Sequence, residues 1–564
     1  MTAIAPPRAS APATPPGAPR RTLARPSGRV LTAAALLLGL GVAAIWSIVD
    51  LEVGLNQLER GLANAGRFLQ RTVPFEWPSL GDVLWLSAMT LAIVVLGTLL
   101  ATVISIPVAY LSAANTSPGG LVTRLLGRLI GIVSRATPDA FLALAFAMII
   151  AQGALPGILA LGLHSVGMIS KLTADAIEQI DEGPRLALRA AGATKAQEFW
   201  GGIWPQILPS VIATVLHRAD INLRATVVLG FVGVAGLGLE LSLGLKSLNY
   251  REGIPYAIIM FALCIVFEII ATSVRSTLLG VRPSGRSLGG LLARRTVPAA
   301  PVAVDPLKQP WTPERRRLAG FSRSSIVVII GALAVISTSL PNFSLFWQNT
   351  GIALNRMLPP QIDEAKWGSV AEDFLITIQV GLAATLVGVI LSAVFGAFAA
   401  RNVAPNPTVR GVFRFLLVVN RGIPELLLAF FLIILTGLGA TAGVVALAIG
   451  GIGLLGKLVA DSLEEVDPGP ERALRATGAT RAQIFFAATL PQAAPAIVGH
   501  VLYLLDTNVR ASSLLGVIGG AGIGFTILQA SRINHQEMLA LLIIMVFVVL
   551  AIEALSSLIR SLVK

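Results

Sequence analysis

Apolar runs of spanning length alternate with short polar stretches along most of this chain. In the first part they fall at residues 30–49, 84–111, 128–152, 155–178, 205–232 and 254–280. A helix rising 1.5 Å per residue needs about 20 apolar residues to cross ~30 Å of hydrocarbon, and each run is about that long or longer. After a basic stretch the series restarts at 325–341, 374–400, 412–438, 441–463, 491–518 and 538–560, the first of these being short. The pattern predicts an all-α membrane protein of about 12 transmembrane helices in two six-helix halves. It divides the chain into a basic tail (1–29), a first half (30–281), a basic linker (282–324) and a second half (325–564).

The halves repeat in sequence as well as in pattern. Aligning Lys171–Gly238 with Lys457–Gly524 makes roughly half of the paired positions identical, which marks an internal duplication. An even number of helices in each half keeps both in the same orientation, so the duplication is parallel, about an axis along the membrane normal. The Pro-, Ala- and Arg-rich tail reads as disordered. The tail (Arg20, Arg21, Arg25, Arg29), the loop with Arg124, Arg128 and Arg135, and the linker (Arg282, Arg286, Arg294, Arg295, Arg315, Arg316, Arg317) all fall on one side of the weave. The positive-inside bias makes that side the cytoplasm, with both termini on it.

Composition narrows the function classes. With 55% hydrophobic and 13% charged residues and a mean hydropathy of +0.79, the chain belongs in a bilayer. The net charge of +13 sits between apolar runs, so it reads as a topology signal and not as a nucleic-acid surface. The single cysteine, Cys264, lies in an apolar run and has no internal disulfide partner.

The most polar repeated stretch is "DEGPRLALRAAGATKAQ", Asp181 to Gln197, matched by "DPGPERALRATGATRAQ", Asp467 to Gln483. In each copy a Gly-Pro pair opens a short helix and Gly192 or Gly478 breaks it. A second short helix then runs to Pro205 or Pro491. A surface helix with small residues and protruding Arg side chains suits docking into a partner's groove; the alternative is a helix that only anchors the loop among lipid headgroups.

This loop resembles the "EAA" loop of binding-protein-dependent ABC importer permeases, with Gly478 thirteen residues before Pro491 in "LP". The first half has Trp204 and Pro205 instead, and Leu186 and Arg472 stand where that family carries its Glu. Further stretches, "NRGIPELLLAFF" and "DTNVRASSLLGVIGGAGIG", resemble the phosphonate-importer (PhnE-type) permeases, here with two repeats in one chain. The resemblance implies a type I importer permease fold and makes 181–205 and 467–491 coupling loops. It assigns contact with two ATP-binding cassette subunits to Asp181, Gly183, Arg189 and Gly192, and to Asp467, Gly469, Arg475 and Gly478. A periplasmic or lipid-anchored binding protein, a small phosphorus oxyanion substrate and residence in a prokaryotic cytoplasmic membrane, among lipids, follow from the same resemblance. ATP and Mg would bind the partners, leaving this chain without a cofactor.

Intramembrane charge is the other repeated feature. Asp220, Asn222 and Arg224 match Asp506, Asn508 and Arg510 on the helix after each loop. From Pro209 or Pro495 each Arg lies roughly 22 Å along the helix, near the bilayer midplane. Two readings stay open: guanidinium donors flanking a pathway for an oxyanion, or i,i+4 Asp–Arg pairs that fix the helix in the bundle. The Asn side chains point about 200° away from the Arg side chains, so one of the two groups packs inside its own half. Arg135, Pro138 and Asp139 pair with Arg421, Pro424 and Glu425 where a helix enters, while His164 has Gly450 as its counterpart.

"GFVGVAGLG" and "GVIGGAGIG" lack the strand a dinucleotide loop needs, and "GIGLLGKL" ends in Leu458 where a phosphate loop needs Ser or Thr. No nucleophile with a base and no metal-ligand cluster stands out, so an enzyme is not expected. The residues point to the transmembrane subunit of an ATP-driven importer. A secondary active transporter with duplicated halves, and an importer permease for an unrelated solute, remain as alternatives.

Overall fold

The computed structural model describes residues 27–279, 313–338, 346–437, 439–519 and 521–563, and no strand occurs among them. The tail up to residue 26 and the linker from 280 to 312, with Arg282, Arg286, Arg294 and Arg295, lie outside the described residues. The first half runs through α1 (Gly28–Asp50), α2 (Leu55–Thr72), α3 (Leu80–Ser112), α4 (Gly120–Ala136), α5 (Asp139–Ile150), α6 (Ala154–Glu178), α7 (Glu182–Ala190), α8 (Trp204–Phe231), α9 (Leu237–Lys246) and α10 (Tyr250–Leu279). The second repeats the order as α11 (Pro313–Ser337), α12 (Phe346–Met357), α13 (Trp367–Ala399), α14 (Pro407–Gly422), α15 (Glu425–Thr436), α16 (Ala440–Glu464), α17 (Pro468–Ala476), α18 (Leu490–Leu515), α19 (Ile523–Ile533) and α20 (His535–Val563).

Nine helices among the described residues are long and apolar enough to cross a membrane. Two further spans expected as single helices, 128–152 and 412–438, are each two helices: α4 and α5 meet at 86°, α14 and α15 at 83°. Pro138 and Pro424 are the cause. Each disfavours helical backbone in the residue before it, so Thr137 and Ile423 turn extended and a new helix begins just after. Arg124, Arg128 and Arg135 therefore sit on α4, an amphipathic helix, and not in a loop. The twelfth expected span, 325–341, falls in α11 as far as Ser337, and residues 339–341 lie outside the described residues; the helix already begins at Pro313, inside the expected linker, and its apolar stretch Arg323–Ser337 is short.

Close packing within each half rests on small residues. At Gly162 an added Cβ would lie 2.6 Å from Leu100, and at Gly167 still closer to the Gly131 backbone, so α6 can approach α3 and α4 only with glycine there. The same device recurs where Gly396 meets Val459 between α13 and α16.

The halves also exchange their first helices. α1 packs on α13 and α20 of the second half, and α11 packs on α3 of the first. Asp50, at the end of α1, accepts a 2.8 Å hydrogen bond from Gln379 of α13. α2 lies on α15, α12 lies on α5, and the last helix of each half touches the short amphipathic helix of the other. The result is one interlocked helical unit in which the two breaks, 137–138 and 423–424, face the seam between the halves.

Candidate functional site

Two groups of residues build the site: the repeated loops at one end of the bundle, and the charged residues at the seam. In each loop the Asp begins the helix. Asp181 accepts a hydrogen bond from the Gly183 N–H and Asp467 from that of Gly469, both at 2.9 Å. Each helix ends in a Schellman turn. Ala193 N–H donates to Leu188 and Gly192 N–H to Arg189 in the first loop; Ala479 donates to Leu474 and Gly478 to Arg475 in the second. The closing glycine has φ +81° in both copies, a left-handed backbone that disfavours any side chain. A Cβ there would meet nothing within 4 Å, so these glycines are required for their backbone conformation and not for a close contact inside this chain. Capping boxes at Thr194 and Gln197, and at Thr480 and Gln483, start the next turn, and a π-helical turn carries the chain into α8 or α18.

The loops share a backbone but not a surface. In the first, Arg185 is folded inward between Glu182 and Glu198, and Arg189 donates to Glu198 at 2.9 and 2.8 Å. That carboxylate holds the Arg189 guanidinium above its ordinary pKa. In the second, Glu471 replaces Arg185 and accepts from Thr489 at 2.6 Å and from Asn402 at 3.2 Å, while Arg475, opposite Ile484, stands exposed. Asn115 and Asn402 tie each loop to its half, donating to Glu182 at 3.0 Å and Glu471 at 3.2 Å and also to the Ile177 and Leu463 carbonyls of α6 and α16 at 2.7 Å.

At the seam the intramembrane pairs of the sequence form. Arg224 donates to Asp220 at 2.9 Å and Arg510 pairs with Asp506. Each Arg also crosses to the other half: Arg224 donates to the Arg421 carbonyl at 2.6 Å and Arg510 to the Arg135 carbonyl at 3.1 Å. These carbonyls belong to the last turns of α14 and α4, where the breaks leave acceptors without a helical partner. A guanidinium from the opposite half supplies the donor in both cases. Asn222 and Asn508 turn away and are buried, donating to Thr98 and Thr385 at 2.9 Å inside their own halves.

Glu268 and Glu553 join this seam although the sequence reading passed over them. Glu553 pairs with Arg135, and Glu268 lies 3.7 Å from Arg224. The signal was available: one carboxylate at the same place in each of two otherwise apolar runs. His164 Nδ1–H donates at 2.8 Å to the Thr137 carbonyl at the break, as a packed histidine would. "GIGLLGKL" is the middle of α16, and each glycine-rich segment is a turn whose following helix is capped, by Thr90 on Leu237 N–H and by Thr377 on Ile523 N–H. No group of three or more potential metal ligands occurs among the described residues. Cys264 is buried.

The sequence profile described as "Binding-protein-dependent transport system inner membrane component" matches residues 105–278 and again 392–564. The Phosphate-import permease protein PhnE of Mycolicibacterium smegmatis is 39% identical over 504 residues, 89% of each chain. The Phosphite transport system permease protein PtxC of Stutzerimonas stutzeri is 36% identical over 249 residues, which is 44% of this chain but 89% of that one. One relative thus matches almost the whole chain, and another corresponds to a single half.

Proposed function

We propose, from the premise that this chain belongs to the family of binding-protein-dependent inner membrane transport components, that it carries a small phosphorus oxyanion (phosphonate, phosphate or phosphite) inward by alternating access. Two ATP-binding cassette subunits would drive it, one on each coupling loop, with ATP and Mg bound there. A periplasmic or lipid-anchored binding protein would deliver the anion, and both termini would face the cytoplasm, as the charge bias favours. The observation that carries this reading is the duplicated loop. Asp181, Gly183, Arg189 and Gly192, and Asp467, Gly469, Arg475 and Gly478, build the same capped, left-handed-terminated helix twice at one end of the bundle. A secondary transporter has no use for two such loops.

In this reading Asp220, Asn222, Arg224, Asp506, Asn508 and Arg510 form the seam along which the anion passes. The Asn side chains brace each half, and the Arg side chains hold the halves together by bonding across it. Separation of the halves would release two guanidinium groups into the pathway, where planar donors suit an oxyanion. The test is co-purification with ATPase and binding protein, followed by calorimetric titration of the binding protein with phosphate, phosphite and methylphosphonate. Tight binding of one of them is expected. Capture without an ATPase would overturn the importer reading, and a binding protein that takes only unrelated solutes would overturn the substrate.

A further inference from the structure

Arg218 lies on α8, six residues before Arg224, and is 6% exposed. Unlike Arg224 it forms no ion pair among the described residues. Its Nε donates to Ser165 Oγ at 2.8 Å and its Nη1 to the Met168 sulfur at 3.8 Å, Ser165 in turn donates to Asn222 Oδ1 at 3.1 Å, and Nη2 makes no hydrogen bond among the described residues. The ionisable groups within its electrostatic reach include Asp139 at the break, His164 and His217 in its own half, and Tyr503 and Arg510 across the seam. A guanidinium buried without a contacting carboxylate is costly and needs a reason.

The second half supplies an internal control. Leu504 occupies the position of Arg218 and Gly451 that of Ser165. Leu504 is 2% exposed, and a Cβ at Gly451 would lie 3.1 Å from its side chain, so an apolar residue seated over a glycine fills the same place. The acid at the break is kept there as Glu425, which faces Arg224 across the seam as Asp139 faces Arg510, but the place of Arg218 is held by Leu504. Asp139 therefore does not account for Arg218. The fold is satisfied by Leu and Gly; the Arg and Ser of the first half serve something the second half does not do.

We propose that Arg218, oriented by Ser165, is a one-sided anion-binding residue of the pathway: its free Nη2 and charge receive one oxyanion at a time from the seam. The assignment rests on the oxyanion reading and adds that the site is asymmetric, borne by the first half alone.

The test copies the second half's own solution into the first, as the double variant Arg218→Leu with Ser165→Gly, reconstituted with ATPase and binding protein in vesicles. It should assemble like wild type by size exclusion, yet take up labelled phosphate, phosphite and methylphosphonate at least about tenfold more slowly, the loss of a charge-assisted hydrogen bond. Arg218→Lys, which keeps the charge but not the planar fork, should also fall well below wild type. A double variant that fails to assemble, one that transports at the wild-type rate, or a fully active Arg218→Lys would each overturn the assignment. Wild-type vesicles that take up none of the three anions would overturn the oxyanion reading itself, and this assignment with it.

Discussion

Arg224 and Arg510 each hold two bonds of different kinds, and substitution separates them. Arg224→Leu leaves Asp220 buried without its partner, a loss of about 3–5 kcal/mol for a broken buried pair. Removing the acid as well, as Arg224→Leu with Asp220→Leu, recovers the part due to the unpaired Asp220 carboxylate, although Glu268, 3.7 Å from Arg224, also loses that partner. Recovery should stop short by about 1–3 kcal/mol, since the Arg421 carbonyl then lacks its donor from the opposite half. Denaturation in detergent of wild type, single and double variants measures the three levels; a double variant as stable as wild type would show that the cross-half bond contributes nothing. The Asp–Arg pairing was legible in the sequence from its i,i+4 spacing. The carbonyl partners were not, because a backbone acceptor in another half has no residue type that announces it.

The repeated loops illustrate how far local sequence reaches. Asp at the start, Gly at the end and the Thr-to-Gln capping box are short-range signals, and the loop helix, its glycine stop and the second short helix all form where the residues place them. Hydropathy alone misled at α4–α5 and α14–α15, where continuous apolar runs concealed a bend of more than 80° each. Thr137-Pro138 and Ile423-Pro424 held the correcting signal. The amphipathic helices α2 and α12 lay between runs and had no counterpart in the expected weave. Two expectations follow for the loops. Gly192→Arg and Gly478→Arg force a side chain into left-handed backbone at about 1–2 kcal/mol each, and each should lower uptake about fivefold or more while the chain still reaches the membrane. Full uptake by either variant would remove its loop from the coupling role. Asn402→Ala removes the tie between α17 and its half, so amides of 468–476 should exchange about two- to tenfold faster. Unchanged exchange would place the restraint elsewhere.

The duplication, its parallel sense and the helical class were readable from periodicity and repeats, because both depend on composition over tens of residues. The exchange of α1 and α11 between halves was not, since apolar helices carry no mark of which half they pack against. That exchange predicts a specific behaviour on cutting the chain. Halves co-expressed as separate polypeptides, divided between Gly290 and Ala300, should assemble and transport, each lending its first helix to the other; transport only by the fused chain would show that the linker is required. A cysteine at Ser284, outside the described residues, with Cys264 removed, should resist impermeant thiol reagents in intact cells and react after lysis, and labelling of intact cells would overturn the proposed orientation.

The proposed function makes transport depend on ATP hydrolysed by partners seated at the two loops. The direct measurement is uptake of labelled phosphate, phosphite or methylphosphonate by vesicles containing this chain and its ATPase, with binding protein outside and ATP within. Uptake is predicted to require both ATP and the binding protein and to ignore proton and sodium gradients. Uptake driven by an ion gradient in the absence of ATP would contradict the account.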